Sequence, residues 1–141
     1  MSWEQLVVAD TFDEDVLPFW DGLKEHRFLL YRCNRCGTCY WPMAYCRKHE
    51  DIPRLEEMEW VPTSGRGRVF TWLIVHQVLN PAYADEAPYA LAMVELEEGP
   101  LFPTRLTGCD PGAVNVGLPV EVAYRDVPET GLTLPLFRPR G

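Results

Sequence analysis

Four of the five cysteines in this 141-residue chain fall between positions 33 and 46, and that crowding constrains the fold more than any other feature. Cys33-Asn34-Arg35-Cys36 is followed, nine residues on, by Cys46-Arg47-Lys48-His49. A Cys-x-x-Cys turn lets two thiolates approach one ion, and Gly37 supplies the backbone freedom such a turn commonly needs. The second pair keeps the spacing and replaces the last Cys by His. Cys33, Cys36, Cys46 and His49 together offer the soft and borderline ligands of a closed, four-coordinate zinc site. With every position filled, such a site leaves no vacancy for water or substrate, so its expected role is structural. A segment of about 20 residues has no self-sufficient core and gains one from the metal. Cys39 is a fifth candidate that can take the place of His49. A redox pair, iron in place of zinc, and buried thiols without metal are the remaining alternatives.

Charge and composition narrow the function classes. The chain carries 13 Lys and Arg against 21 Asp and Glu, a net charge of −8. Nucleic-acid binders draw much of their affinity from neutralised phosphates, so this balance argues against DNA or RNA as a partner. No stretch approaches the roughly 18–20 apolar residues that span a bilayer. The first residues, MSWEQLVVAD, lack a basic region followed by an apolar core, so the expectation is no secretory signal and a cytoplasmic location. Thiols clustered in a reducing compartment point to metal before disulfides.

Along the chain, Asp13 to Leu30 carries Val16, Leu17, Phe19, Trp20 and Leu23 at helical spacing. Thr11 with Glu14 has the form of a capping box, and Pro18 and Gly22 predict a short helix broken near Gly22, followed by a strand through Phe28 to Tyr31. Pro53 to Pro62 reads as a connector whose acids Glu56, Glu57 and Glu59 form a solvated face. Beyond Trp60 the pattern turns to β. Strands are predicted over Val69–Leu79, Tyr89–Leu96, Leu101–Thr107, Pro119–Tyr124 and Leu132–Arg138, separated by turn residues and without intervening helices. Short strands at this spacing suggest a small barrel such as an OB-fold. The division is thus a helical segment over 1–30, a zinc ribbon over 31–53 and a barrel over 54–141.

The ordered set Phe19-Trp20-Asp21-Gly22-Leu23, Arg32-Cys33-x-x-Cys36-Gly37, Trp41-Pro42, Cys46-x-x-His49, Trp60-x-Pro62-x-Ser64-Gly65-x-Gly67-x-Val69, Ala87-Pro88-Tyr89, Val94 to Pro100 and Val116 to Val120 resembles a known family. It is similar to the zinc-ribbon plus OB-fold family of acyl-CoA-associated proteins, long classed as a domain of unknown function, over residues 12 to 138. The resemblance implies a mainly β fold with an N-terminal helical hairpin, a rubredoxin-like zinc ribbon and a C-terminal five-stranded OB-fold barrel. It also implies an accessory, largely non-catalytic role beside a thiolase-like subunit, in a heterotetramer or larger complex. Such complexes are archaeal thiolase and hydroxymethylglutaryl-CoA synthase assemblies, phloroglucinol acyltransferases and steroid side-chain aldolases. The partner carries the reactive residues, and the small subunit helps shape the acyl-CoA site. His49 departs from the family pattern, which more often has Cys there; ligand chemistry tolerates the exchange.

No residue set has the form of a nucleophile with its base. Cys109 sits in a Gly-Cys-Asp-Pro turn, and His76 closes the strand that begins at Val69. For CoA-type phosphates the loop from Pro62 to Arg68 is the candidate, with Arg66 and Arg68 as cations and Gly65 and Gly67 permitting close approach. The plain alternative is a glycine turn entering a barrel strand. A single-stranded nucleic-acid binder is the second reading of a ribbon joined to an OB-fold, and the acidic charge opposes it.

Overall fold

The computed structural model describes residues 2–6 and 12–141. It contains one α-helix, α1 (Leu17–Lys24), and eight strands: β1 (Leu29–Cys33), β2 (Cys39–Tyr40), β3 (Met58–Pro62), β4 (Arg66–Val75), β5 (Tyr89–Leu96), β6 (Leu101–Arg105), β7 (Pro119–Val127) and β8 (Leu132–Pro139). The strands form two sheets, ordered β2-β1-β3 and β6-β5-β4-β7-β8, antiparallel throughout. The larger sheet closes on itself. Leu106 bridges Phe137 in parallel, and the Thr107 N–H donates to the Phe137 carbonyl at 2.8 Å. Five strands closed by one parallel contact are the barrel expected from the strand spacing. No described helix is long and apolar enough to cross a membrane.

The helical segment ends differently from its sequence reading. The helix runs through Gly22 to Lys24, because a Cβ at Gly22 would lie 2.8 Å from the Leu29 side chain; glycine here permits the helix to approach β1. Termination comes at His26, whose φ of 56° places it in the left-handed region. The His26 N–H donates to Leu23 and the Arg27 N–H to Gly22, both at 2.9 Å, the paired bonds of a Schellman cap. Histidine takes a position usually given to glycine, and its ring holds it there: it stacks on Tyr124 and reaches Asp126 at 3.1 Å. Among the described residues, short 3-10 turns at Trp3–Leu6 and Glu14–Val16 complete the helical part. The capping box expected of Thr11 lies outside the described residues.

The segment read as a connector contributes structure to the ribbon. Met58–Pro62 pairs along the whole of β1, with Tyr31 opposite Trp60 and Cys33 opposite Met58. Its acids are not a free solvated face: Glu57 receives two bonds from Arg35, and Glu59 accepts from Arg32 at 2.7 Å. β4 stops at Val75, leaving His76 exposed beyond it.

One aromatic core joins all three parts. Phe28 is 1% exposed and meets Phe19 of α1, Phe102 of β6 and Phe137 of β8 edge-on, with centroids 5.0–5.9 Å apart. Val69, Val94 and Val120 fill the barrel beneath them. Immediately after β3, the Thr63 N–H and hydroxyl both donate to the Phe28 carbonyl, at 2.9 and 2.7 Å, and so fix the ribbon's exit strand to the barrel entrance.

Candidate metal centre

The ligand atoms of Cys33, Cys36, Cys46 and His49 all lie within 4.8 Å of one another, so the four side chains could hold a metal ion. Cys33 begins a tight turn from the end of β1, with the Gly37 N–H returning to the Cys33 carbonyl at 2.7 Å and Gly37 at a φ of 77°. This turn brings the first pair together. The second pair comes from the irregular loop after β2. Cys33 Sγ stands 3.5 Å from His49 Nε2, and Cys36 Sγ stands 3.6 Å from Cys46 Sγ. That sulfur separation is far beyond a disulfide bond of about 2.05 Å. Cys39, the alternative ligand, is outside the group: it points to the Gly37 carbonyl and packs against the barrel core.

The surroundings favour thiolate formation unequally. Hydrogen bonds from the Thr38 hydroxyl and N–H hold the Cys36 thiol down to about 6, whereas burial pushes Cys33 up. Burial also raises Cys39 and Cys109. The Tyr40 hydroxyl donates to Cys46 Sγ at 3.3 Å and accepts the Arg47 N–H at 3.2 Å. Such secondary bonds orient ligands and tune their charge. Outside them, Arg35 grips Glu57 bidentately at 2.8 and 3.0 Å and turns its remaining nitrogen to Asp51 at 3.0 Å. It thereby ties the first turn, the loop after the second and the entry to β3 into one unit, and holds both carboxyls below their usual range. The sequence reading named the four residues that cluster here and missed this arginine clamp, whose partners are 16 and 22 residues away.

The loop before β4 has demands of its own. Gly65 has a φ of 68° with Val122 2.6 Å from its absent Cβ, and a Cβ on Gly67 would meet the Glu95 carbonyl at 2.4 Å. Both glycines are therefore required by barrel packing. Arg66 pairs with Glu97 at 3.5 Å, and Arg68 Nη1 donates to the Gly117 carbonyl at 3.0 Å. A different surface is apolar. On β5, Ala90, Ala92 and Val94 point inward, while Leu91 and Met93 line a cleft of about 480 Å³ with Leu73 and Pro103. Leu73 lies opposite Leu91, and Met93 opposite Pro103, so these side chains share the outer face of β4-β5-β6.

Residues 60–125 match a family model described as ChsH2, C-terminal OB-fold domain. A DUF35 domain-containing scaffold protein of Methanocaldococcus jannaschii is 36% identical over 84% of this chain and 83% of its own length. The 3-oxo-4,17-pregnadiene-20-carboxyl-CoA hydratase alpha subunit of Mycobacterium tuberculosis is 33% identical over 84% of this chain, which spans only 36% of that protein. Among solved structures, the Ltp2-ChsH2(DUF35) aldolase superposes with a TM-score of 0.77 at 32% identity, covering 92% of this chain and 97% of that one.

Proposed function

This chain belongs to the DUF35 OB-fold family, and from that premise we propose that it is an accessory subunit of a thiolase-superfamily acyl-CoA enzyme, bracing and completing a catalytic partner. The chemistry assigned to the complex is carbon–carbon cleavage of an acyl-CoA side chain, steroid-type chains included, or acyl transfer. Relatives named as a scaffold, as a subunit of a CoA-ester hydratase and as part of an aldolase support this reading. The observation that carries it is the outer face of β4-β5-β6. Leu73 is 56% exposed and Leu91 38%, side by side in register, with Met93 and Pro103 beside them in the same cleft. A clustered apolar surface on an otherwise acidic chain is what a partner subunit covers.

The ion proposed for the ribbon is zinc. Tetrahedral zinc, with bonds of about 2.3 Å to sulfur and about 2.0–2.1 Å to nitrogen, has sulfur–sulfur edges near 3.8 Å and sulfur–nitrogen edges near 3.6 Å. Of the six edges between the four ligand atoms, one sulfur–sulfur separation is 3.6 Å and one sulfur–nitrogen separation is 3.5 Å, and all lie within 4.8 Å. Three thiolates and an imidazole suit that ion, and its role is to hold the ribbon against the barrel. Acyl-CoA contact by Arg66 and Arg68 is part of the proposal in one form only: a phosphate must displace Glu97 and the Gly117 carbonyl from them.

The docking face is tested by Leu73→Asp combined with Leu91→Asp. Charges there should weaken association with a thiolase-like partner by about 100-fold or more, while surface substitutions leave stability within about 0.5 kcal/mol each. Co-purification and thermal melts read the two effects separately. Undiminished association would remove this face from the interface.

A further inference from the structure

β4 is paired on one side along nearly its whole length and on the other only at its start. β5 runs beside it from Gly67 to Val75, whereas β7 covers Arg66 to Arg68 alone. Val69 makes the last bonds on that side, donating to the Leu118 carbonyl at 3.0 Å and accepting the Gly117 N–H at 2.8 Å. The register shift between Val69 and Thr71 makes Phe70 the extra residue of a bulge. Beyond Val69, residues 70–75 have no backbone partner on the β7 side among the described residues. The pairing on the β5 side shows which groups this leaves outward. Leu106, just past β6, donates its N–H to the Ala90 carbonyl at 3.0 Å, so Ala90 turns its backbone away from β4. Ile74, opposite Ala90, therefore turns its own N–H and C=O away from β5, and Trp72, opposite Ala92, does the same. Sheet edges usually guard themselves with lysine, proline or an inward charge, because an open row of donors and acceptors invites another strand. Apart from the bulge at its start, this edge has no such guard. Residues 69–84 contain no Asp, Glu, Lys or Arg, in a chain where these types make up 24%. Phe70 and Leu73 are both more than half exposed.

We propose that an extended strand of the catalytic partner adds to β4 at this edge, bonding the backbone of Trp72 and Ile74 and continuing the sheet β6-β5-β4. The inference rests on the accessory-subunit reading and names the form of the partner segment that meets it. That form follows from the backbone: Trp72 and Ile74 each present one N–H and one C=O in alternation, which an extended strand satisfies. Its composition follows from the surroundings. A strand about 4.8 Å from β4 would set alternate side chains beside Trp72 and Ile74 on one face and beside Thr71 and Leu73 on the other. No charged side chain awaits it on either, so its centre is apolar and uncharged. Leu73 also lines the outer cleft with Leu91, Met93 and Pro103, so the added strand and the apolar face form one continuous surface. A second copy of this chain fits less well, because a net charge of −8 opposes bringing two copies together.

Amide-resolved hydrogen exchange of the chain alone and mixed with a thiolase-like partner tests it, with light scattering reporting assembly. In the isolated chain the Trp72 and Ile74 amides should exchange at least about 100-fold faster than that of Leu73, whose N–H faces β5. In the heteromer those two amides should slow by at least about 100-fold. Ile74→Pro deletes the outward donor and leaves the β5 ladder bonded, so it should weaken the heteromer by at least about tenfold. Should that variant fail to fold, exchange in the wild-type chain still decides. A heteromer in which Trp72 and Ile74 go on exchanging freely, or one that a folded Ile74→Pro chain forms as tightly as wild type, overturns the added strand and leaves the accessory-subunit reading standing. No heteromer at all overturns both. Protection of the two amides in the isolated chain, whether monomer or dimer, shows the edge already covered and overturns the partner strand.

Discussion

Cys46→Ser should empty the metal centre and lower the melting temperature by roughly 10–20 °C, the scale set by losing a few kcal/mol in a domain of this size. Cys46 is 2% exposed and packs with Tyr31, Cys33 and Met58 in the ribbon's own small cluster. On the proposed reading, zinc would supplement this small cluster in holding β1, β2 and β3 together. The loop from Gly37 to Pro53 contains only the two-residue β2, so its remaining order would rest on the proposed metal and on the Arg35 clamp. The damage should spread, because Leu30 of β1 belongs to the barrel core. Two controls separate metal from packing. Cys39→Ser lies outside the ligand group and should keep a full equivalent of metal, at a cost of at most about 1 kcal/mol. His49→Cys should keep the metal as well, since thiolate serves the same ion. Elemental analysis beside a thermal melt reads all three. A Cys46→Ser chain that melts as wild type would contradict the structural role.

Phe28→Ala should cost about 3–5 kcal/mol, the usual penalty for deleting a fully buried aromatic ring. The expected value is at the upper end because collapse is blocked from three sides. Phe19 belongs to the helix, Phe102 and Phe137 to different barrel strands, and each meets the Phe28 ring edge-on. A cavity there has no single element free to fill it. The Phe28 carbonyl also receives both Thr63 bonds, so loosening it loosens the junction of ribbon and barrel. Urea unfolding followed by tryptophan fluorescence gives the loss directly, and a cost under about 1 kcal/mol would show that the parts are not welded at this point.

What the sequence disclosed divides by range. The convergence of Cys33, Cys36, Cys46 and His49 was legible because a metal site demands short, fixed spacings. Barrel strands were legible because their inward residues alternate, as Ala90, Ala92 and Val94 do on β5. β3 was hidden for an electrostatic reason. Glu56, Glu57 and Glu59 look like a solvated connector until Arg32 and Arg35, more than 20 residues upstream of Glu57 and Glu59, neutralise two of them. Gly22 looked like a helix breaker because its real purpose, the approach of Leu29, is a tertiary contact. The helix end at His26 carries no glycine signal at all; its left-handed backbone is held by Tyr124 and Asp126, almost 100 residues away. The packing of Gly65 against Val122 and of Gly67 against the Glu95 carbonyl was hidden because both are tertiary contacts.

The most direct test of the accessory-subunit reading is reconstitution with a thiolase-like protein as the proposed partner. Turnover of an acyl-CoA substrate is measured for each protein alone and for the two together, with the mass of the mixture followed by light scattering. The account predicts a stoichiometric heteromer, an inactive isolated chain and carbon–carbon cleavage or acyl transfer that requires both. A chain that stays monomeric in the mixture, or a partner whose turnover is unchanged by its presence, would contradict it.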